Sequence, residues 1–435
     1  MVCTIPRAET PIRPPSLFRT DQAEASPIPL FARPQPGRPP IAYKEFVLII
    51  FLYLMVAIIA GASPIYNVMA YGARGDGKTD DTKAFLNAWK AACADPRNPY
   101  FVVTGKGGKN YLLSKIIFEG PCSSSLKFLI SGGLVAPNRL WTNQIDTWII
   151  FKNIPKITVL GNGLIDGKGS IWWDCLSKNQ CRDAPYIMEF MGCDYLRVKN
   201  LNLKDSPGKH LVVYKSDYVT LSGLKITSPE DSPNTDGILI SDSQHGTISY
   251  STIGVGDDCI AIGPRSYDIN VSHITCGPGH GISIGSLGKN GVEDNVEGIH
   301  ISNSHIFNTL TGIRIKTWQG GAGHAKSISY ENINFTSVKA GVIVIDQYYC
   351  PELNCPNKTG NVAISEVSYL GLQGSSVSDV AIKLACSSSM PCRDITMSEV
   401  SFTPQQANIR LQSYCINAQG SASGHVTPQT PCLQH

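Results

Sequence analysis

Charge of either sign is scarce in this chain. Only 16% of the 435 residues are charged, and 37 Lys and Arg against 34 Asp and Glu leave a net +3. So small a basic excess speaks against a nucleic-acid partner. Aromatic residues are also few, at 8%, with 13 Phe and 6 Trp against 40 Gly. That balance points to turns and close backbone approaches rather than to helical bundles. Low charge beside 42% hydrophobic residues excludes wholesale disorder and a coiled coil. From about residue 155 onward no helical pattern of ten residues interrupts the sequence, so a chain of βαβ units is excluded as well. Two-residue hairpin signals are too sparse for an antiparallel sandwich.

The front of the chain differs from the rest. Residues 1–44 hold ten prolines and no hydrophobic period, and read as a disordered extension. Residues 45–62 read as a signal peptide or signal anchor. Phe46–Ala60 is an uncharged run of 15 residues, short for a membrane span and suited to a signal h-region, and Ala60-Gly61-Ala62 forms a small-residue cleavage pattern. Either way residues 63–435 are exported, as a secreted, extracellular or cell-wall domain with no membrane partner beyond that possible anchor. Fourteen cysteines suit an exported chain. The exported part holds thirteen of them, which proximity pairs as Cys93–Cys122, Cys175–Cys181, Cys259–Cys276, Cys350–Cys355, Cys386–Cys392 and Cys415–Cys432, with Cys193 left as a buried free thiol. Three sequons, at Asn270, Asn334 and Asn357, are compatible with export. The exported part carries 31 basic and 30 acidic groups, so attraction to an acidic ligand has to be local.

What is abundant is repetition. ITVLGNGLIDG (157–167), LRVKNLNLKDS (196–206), VTLSGLKITSP (219–229), INVSHITCG (269–277), IHISNSHIFN (299–308), ISYENINFTS (328–337) and ITMSEVSFTP (395–404) share one pattern. Alternating aliphatic residues lead to a polar position, often Asn or Ser, and then to a second short apolar pair. Period-two alternation marks strands. Short strands returning every 20–30 residues without helices predict a parallel β-helix, each repeat one coil. Thr82–Ala94 has helical spacing, with Phe85, Trp89 and Cys93 on one face, and would cap the N-terminal end.

Four clusters carry chemistry: Asn234-Thr235-Asp236-Gly237, Gly256-Asp257-Asp258-Cys259, Gly279-His280-Gly281 and Arg314-Ile315-Lys316. Asp236, Asp257 and His280 follow one another at 21 and 23 residues, close to one coil, which would stack them on one face about 5 Å apart. Arg314 needs a coil with a longer loop, and Asn290–Val296 is loop-like. Three converging carboxylates repel, so at least one should have a raised pKa. One protonated and one ionised acid is the arrangement that glycosidic cleavage requires. Gly256 suggests a bend that lets adjacent Asp257 and Asp258 both reach the cleft. Arg314 and Lys316 share a strand face and suit a sugar carboxylate. Singly, each cluster reads as a turn, a calcium-ligand set or a solvated face. Together, in this order and at this spacing, they do not.

These four motifs, with GHGISIGSLG, RIKTW and an opening segment YNVMAYGARGDGKTDDTKAF, resemble the plant-type polygalacturonase family of glycoside hydrolases over most of the exported chain. The resemblance implies an all-β, right-handed parallel β-helix and inverting hydrolysis of α-1,4-linked galacturonan in pectin. It implies Asp257 as general acid, Asp236 and Asp258 as activators of the attacking water, and His280 beside the acid, setting its protonation. It places Asn234, Arg314, Lys316 and Tyr349 on the substrate, with Tyr348 a competing match for the tyrosine. No metal or cofactor is implied, and a monomer acting on polygalacturonate is expected. Two other readings are a calcium-dependent pectate lyase and a wall protein that binds pectin without cutting it. Three intact acids in one cleft speak against the second of these.

Overall fold

A computed structural model describes residues 63–142, 145–351 and 354–433. The expected Pro-rich extension (1–44) and apolar segment (45–62) lie outside the described residues, among which no helix is long and apolar enough to cross a membrane.

Each repeated phrase folds as two short strands joined at a corner. In LRVKNLNLKDS the strands are Arg197–Lys199 and Asn202–Lys204, and Asn200 between them has φ 58°. A left-handed φ is costly for most L-residues and least so for Asn and Gly. Gly223, Asn303 and Asn332 hold the same corner in later coils, all with positive φ. The polar position in the phrase is therefore a backbone requirement. Coil stacks on coil through parallel pairing, with Arg197 beside Thr220, Thr220 beside Thr247 and Thr247 beside Asn270. Further coils of the same kind, among them Gln244–Gly254 and Ala363–Ser376, escaped the repeat pattern.

The strands gather into two sheets. One has 11 strands, one per coil; the other has 19 and takes both arms of each corner. Every pairing described is parallel, the arrangement of a β-helix. Inside, like side chains stack. Ile238, Ile260, Ile282, Ile313, Ile343 and Ile382 form one ladder along the 11-stranded sheet, each at most 1% exposed. Removing one such side chain from water is worth roughly 1.5–3 kcal/mol.

The N-terminal end is built differently. The helix Thr82–Cys93 presents Phe85, Ala88, Trp89 and Ala92 inward. Trp89 packs edge-on against Phe118, with centroids 5.1 Å apart. Phe101 stacks on Phe128, and a second ring stack runs from Phe118 through Phe151 to Phe190. This is the expected capping helix, closing a wall whose strand edges would otherwise be unpaired. A second helix, Ser170–Ser177, was not anticipated; it buries Trp172 against Trp141 and is short enough to fit within one coil's loop. All six expected disulfides are formed, and Cys193 is free and buried.

Candidate active site

The 11-stranded sheet positions the four motifs. Asp236, Asp258 and His280 each stand two residues before a member of the isoleucine ladder (Ile238, Ile260, Ile282), and those isoleucines are direct cross-strand partners. The true stack is therefore 236, 258 and 280, an even 22 residues per coil. The expected 236–257–280 alignment is corrected by one place. Asp257 sits in the bend before the strand Ile260–Ile262, so the two adjacent acids need not alternate as they would on a strand.

Gly256 is explained by crowding, not by a special φ. A methyl group there would collide with the carbonyl oxygen of Ser232. The Gly256 N–H instead donates to Thr235 Oγ1 at 2.9 Å, tying the second motif to the first. On the other side Cys259–Cys276 fastens the acid-bearing bend to the strand that leads into His280. The coil from Ile282 to Ile313 is lengthened by a short turn at Lys289–Gly291 and by the strand Glu293–Phe307. Of the expected loop, only its beginning is a loop.

All eight expected site residues line one cleft of about 490 Å³: Asn234, Asp236, Asp257, Asp258, His280, Arg314, Lys316 and Tyr349. Tyr349, not Tyr348, faces it. The Tyr349 ring lies 5.4 Å from Lys316 Nζ and packs edge-on against Trp318, whereas the Tyr348 hydroxyl donates to the Cys386 carbonyl. Asn234 is exposed at the rim, with φ 53°.

Asp258 is the most enclosed acid, 2% exposed. Its Oδ1 accepts from Ser283 Oγ at 2.8 Å and from Arg314 Nη2 at 2.8 Å; its Oδ2 accepts from Lys316 Nζ at 2.7 Å. Arg314 and Lys316 do share a face, as expected, but they do not stand free for a ligand: both are engaged by this carboxylate. Two cations on one anion still leave a surplus positive charge and unused N–H donors facing the cleft. Ligand atoms of Asp257, Asp258 and His280 lie within 4.8 Å of one another. A metal ion there would have to compete with Arg314 and Lys316 for Asp258.

Asp236 is buried and ion-paired with Lys209. Burial pushes its carboxyl up to about 6, with Asp257 and Asp258 adding repulsion and Lys209 opposing the rise. For Asp257, burial also favours the neutral acid, but the His280 Nδ1–Oδ1 contact at 2.9 Å and the charges of His280, Lys316 and Lys209 outweigh it and hold the carboxyl low. The expected raised acid exists, but it is Asp236 rather than Asp257 in the free chain. When His280 carries a proton, the His280–Asp257 pair still holds one transferable proton between them.

Three supporting residues were missed by sequence reasoning. Lys209 had no signal beyond its place in a phrase one coil before Asp236. Ser283 lies on the strand Ile282–Leu287, beside Arg314 in register. His210 is fully buried; Nδ1 lies 2.9 Å from the Asp236 carbonyl and Nε2 2.9 Å from Ser228 Oγ. Burial lowers its pKa to about 4, so it stays neutral and serves as a bracket for the first motif.

A parallel β-helix with clustered acids and cations in a groove on one wall defines a class of polysaccharide-processing enzyme. Residues 93–424 match the model of glycosyl hydrolases family 28, and the chain belongs to that family. It is 42% identical over 379 residues to a probable polygalacturonase of Arabidopsis thaliana, covering 85% of this chain and 84% of the other. With a polygalacturonase of Persea americana it shares 44% identity over 331 residues, 74% of this chain and 70% of the other. Among solved structures, an endo-xylogalacturonan hydrolase from Aspergillus tubingensis superposes with a TM-score of 0.68 at 23% identity, covering 83% of this chain and 99% of that one. A polygalacturonase from Erwinia carotovora gives 0.61 at 21%, covering 81% and 97%. These two likenesses bear on the fold alone, the right-handed parallel β-helix.

Proposed function

We propose that the protein is a polygalacturonase: it hydrolyses α-1,4-galacturonosyl linkages of pectin with inversion. The observation that carries this reading is the convergence of three carboxylates, His280 and two cations in one cleft of a family 28 chain. Asp257 delivers the proton to the leaving oxygen, drawing on the proton it shares with His280. Asp236 and Asp258 orient and activate the water. Asn234, Arg314, Lys316 and Tyr349 hold the galacturonate, the surplus charge beside Asp258 meeting its carboxylate. We further propose a monomer made of the disordered extension 1–44, the signal peptide or anchor 45–62 and the β-helix domain 63–435. It is exported to act at the cell wall. The three described sequons support that reading, since Asn270, Asn334 and Asn357 are all exposed.

Oxygens of Asp257 and Asp258 lie within 4.8 Å of each other, closer than the roughly 6.5–9.5 Å usual between an inverting pair. Asp258 is nevertheless a poor nucleophile, because both its oxygens are occupied by donors and almost no surface is exposed. Inversion therefore remains the expected course, and proton NMR of the first product should show the β-anomer. An initial α-anomer would reassign Asp236 or Asp258 as nucleophile.

A second reading exchanges the roles of Asp236 and Asp257, and the raised carboxyl of Asp236 favours it. Galacturonides with a phenol leaving group separate the two, since a good leaving group needs no acid. The variant that lacks the acid should regain turnover on such a substrate, and the variant that lacks the base should not. Regain by Asp236→Asn and not by Asp257→Asn would establish the exchanged roles. The activity itself is tested by release of reducing ends from polygalacturonate. An unsaturated product, or loss of activity in a chelator, would replace hydrolysis by a lyase reaction.

A further inference from the structure

A second concavity has a chemical character of its own. A groove of about 550 Å³ runs over the 19-stranded sheet in earlier coils. Its lining includes Lys127, Lys156, Arg197 and Tyr195 and contains no carboxylate. Lys127, Thr158 and Arg197 are successive partners on three adjacent strands, so their side chains emerge from one face, one coil apart. Lys156 and Tyr195 occupy the same corner of successive coils, two residues before Thr158 and Arg197, both with φ near 58°. That corner projects them to the rim. The Tyr195 ring, half exposed, stacks on Tyr218 with centroids 4.8 Å apart and planes within 4°. The stack continues to His245 at 4.7 Å.

The charges in this groove are unspent and converge in one concavity. Some cations of the same coils are paired: Arg97 with Asp95, Lys115 with Asp146, Lys152 with Glu119 and Lys168 with Asp166. Among the described residues Lys127, Lys156 and Arg197 have no acidic partner, and Lys127 donates only to the Tyr100 hydroxyl. A concave surface lined by one sign of charge concentrates a ligand of the other sign. Exposed stacked aromatic rings offer flat apolar faces beside polar edges, which suit sugar rings. Neither feature is needed by the coil stacking, which the buried aliphatic ladders supply.

We propose that this groove is a second docking site for polygalacturonate, holding the polyanionic sugar chain on a wall separate from the catalytic cleft. The carboxylates of the polymer pair with Lys127, Lys156 and Arg197, the last able to grip one through two N–H groups, and a sugar ring lies along Tyr195. The site retains the enzyme on its polymer while the cleft acts. The inference rests on the polygalacturonase reading of the cleft.

The test measures polymer binding with the cleft occupied. In an Asp257→Asn background, which leaves the polymer uncut, polygalacturonate binding is followed in the presence of saturating trigalacturonate. The residual binding reports the groove. The double variant Lys156→Ala/Arg197→Ala should lower it at least about tenfold, the value of one charge-assisted contact. Tyr195→Ala should lower it severalfold. In the otherwise unaltered enzyme the same groove substitutions should leave kcat/KM on trigalacturonate unchanged. Absence of residual binding, residual binding unaffected by the double variant, or equally tight binding of polyglutamate with no response to Tyr195→Ala would each overturn the proposal. Failure of the underlying activity shows up separately, as no cleavage of polygalacturonate by the unsubstituted protein.

Discussion

The catalytic cleft and the basic groove hold similar numbers of cations and use them in opposite ways. In the cleft Lys209, Arg314 and Lys316 are each bound to a carboxylate. In the groove Lys127, Lys156 and Arg197 have none among the described residues. Pairing inside the cleft fixes side chains before any ligand arrives, and fixed dipoles and charges need no reorganisation during reaction. The penalty for taking those charges out of water is met by the hydrogen bonds around Asp258. Unpaired, solvated cations are held loosely and suit long-range attraction instead. Position in the solenoid decides which occurs. The cleft sets acid-bearing turns, pinned by a disulfide and by Thr235, beside the strand Ile313–Thr317, whereas the lining of the groove holds no carboxylate.

The sharpest way to break the contrast is at Asp257, the proposed proton donor. On the proposed mechanism Asp257→Asn removes the group that passes the proton to the leaving oxygen, and general acid help is worth about 10²–10⁴-fold. We expect kcat on polygalacturonate to fall by that factor, with the unfolding temperature little changed, because the substitution is nearly isosteric. Near-normal turnover of the purified variant would remove Asp257 from the mechanism.

Lys316→Ala should cost less in rate than Asp257→Asn but more in stability than a groove substitution. Lys316 and Asp258 are both buried, and breaking a buried pair from one side costs about 3–5 kcal/mol. The same change in an exposed groove lysine should cost less than about 0.5 kcal/mol. Denaturant unfolding of Lys316→Ala and Lys156→Ala compares them directly, and equal losses would erase the distinction. Galacturonate affinity should also weaken in Lys316→Ala. Cys259→Ser/Cys276→Ser follows in size: opening this 17-residue loop should cost about 3 kcal/mol. Activity should fall with it, since the bridge joins the Asp257 bend to the His280 turn.

The fold was legible in the sequence because its requirement is local. Each corner needs a residue that accepts a left-handed φ, and Asn200, Asn303 and Asn332 announce it between aliphatic pairs. Of the unread coils, Gln244–Gly254 fails that signature for a physical reason: Tyr250 holds its left-handed corner, and no composition rule expects tyrosine there, whereas Ala363–Ser376 keeps a glycine, Gly371, at that corner. The identities at the cleft were legible too, since four motifs in order leave few alternatives. Their electrostatics were not. The 22-residue register of Asp236, Asp258 and His280 depends on where strands begin, which spacing gives only to within a residue. Lys209 belongs to a different coil, and nothing in its own neighbourhood marks it as Asp236's partner. The engagement of Arg314 and Lys316 by Asp258 likewise arises only when coils stack.

The smallest expected effect is also the most diagnostic of that pairing. On the proposed mechanism Asp236 must be ionised to activate water, and burial pushes its carboxyl up to about 6 in the free chain. Hydrolysis should therefore decline as pH falls through about 6. Lys209 is the cation opposing the rise. Lys209→Met removes it, leaving burial and the charges of Asp257 and Asp258, so the acid limb of kcat/KM should move to higher pH while the plateau above it is largely kept. Lys209→Arg should restore the limb. Stability follows the same sign. A carboxyl raised from an ordinary value near 3.9 binds its proton more tightly in the folded chain. The stabilisation it gives is complete below about pH 4 and is lost as pH rises through about 6. A purely structural lysine would alter the plateau and leave the limb in place, so a limb unmoved in Lys209→Met would separate this residue from the chemistry of Asp236.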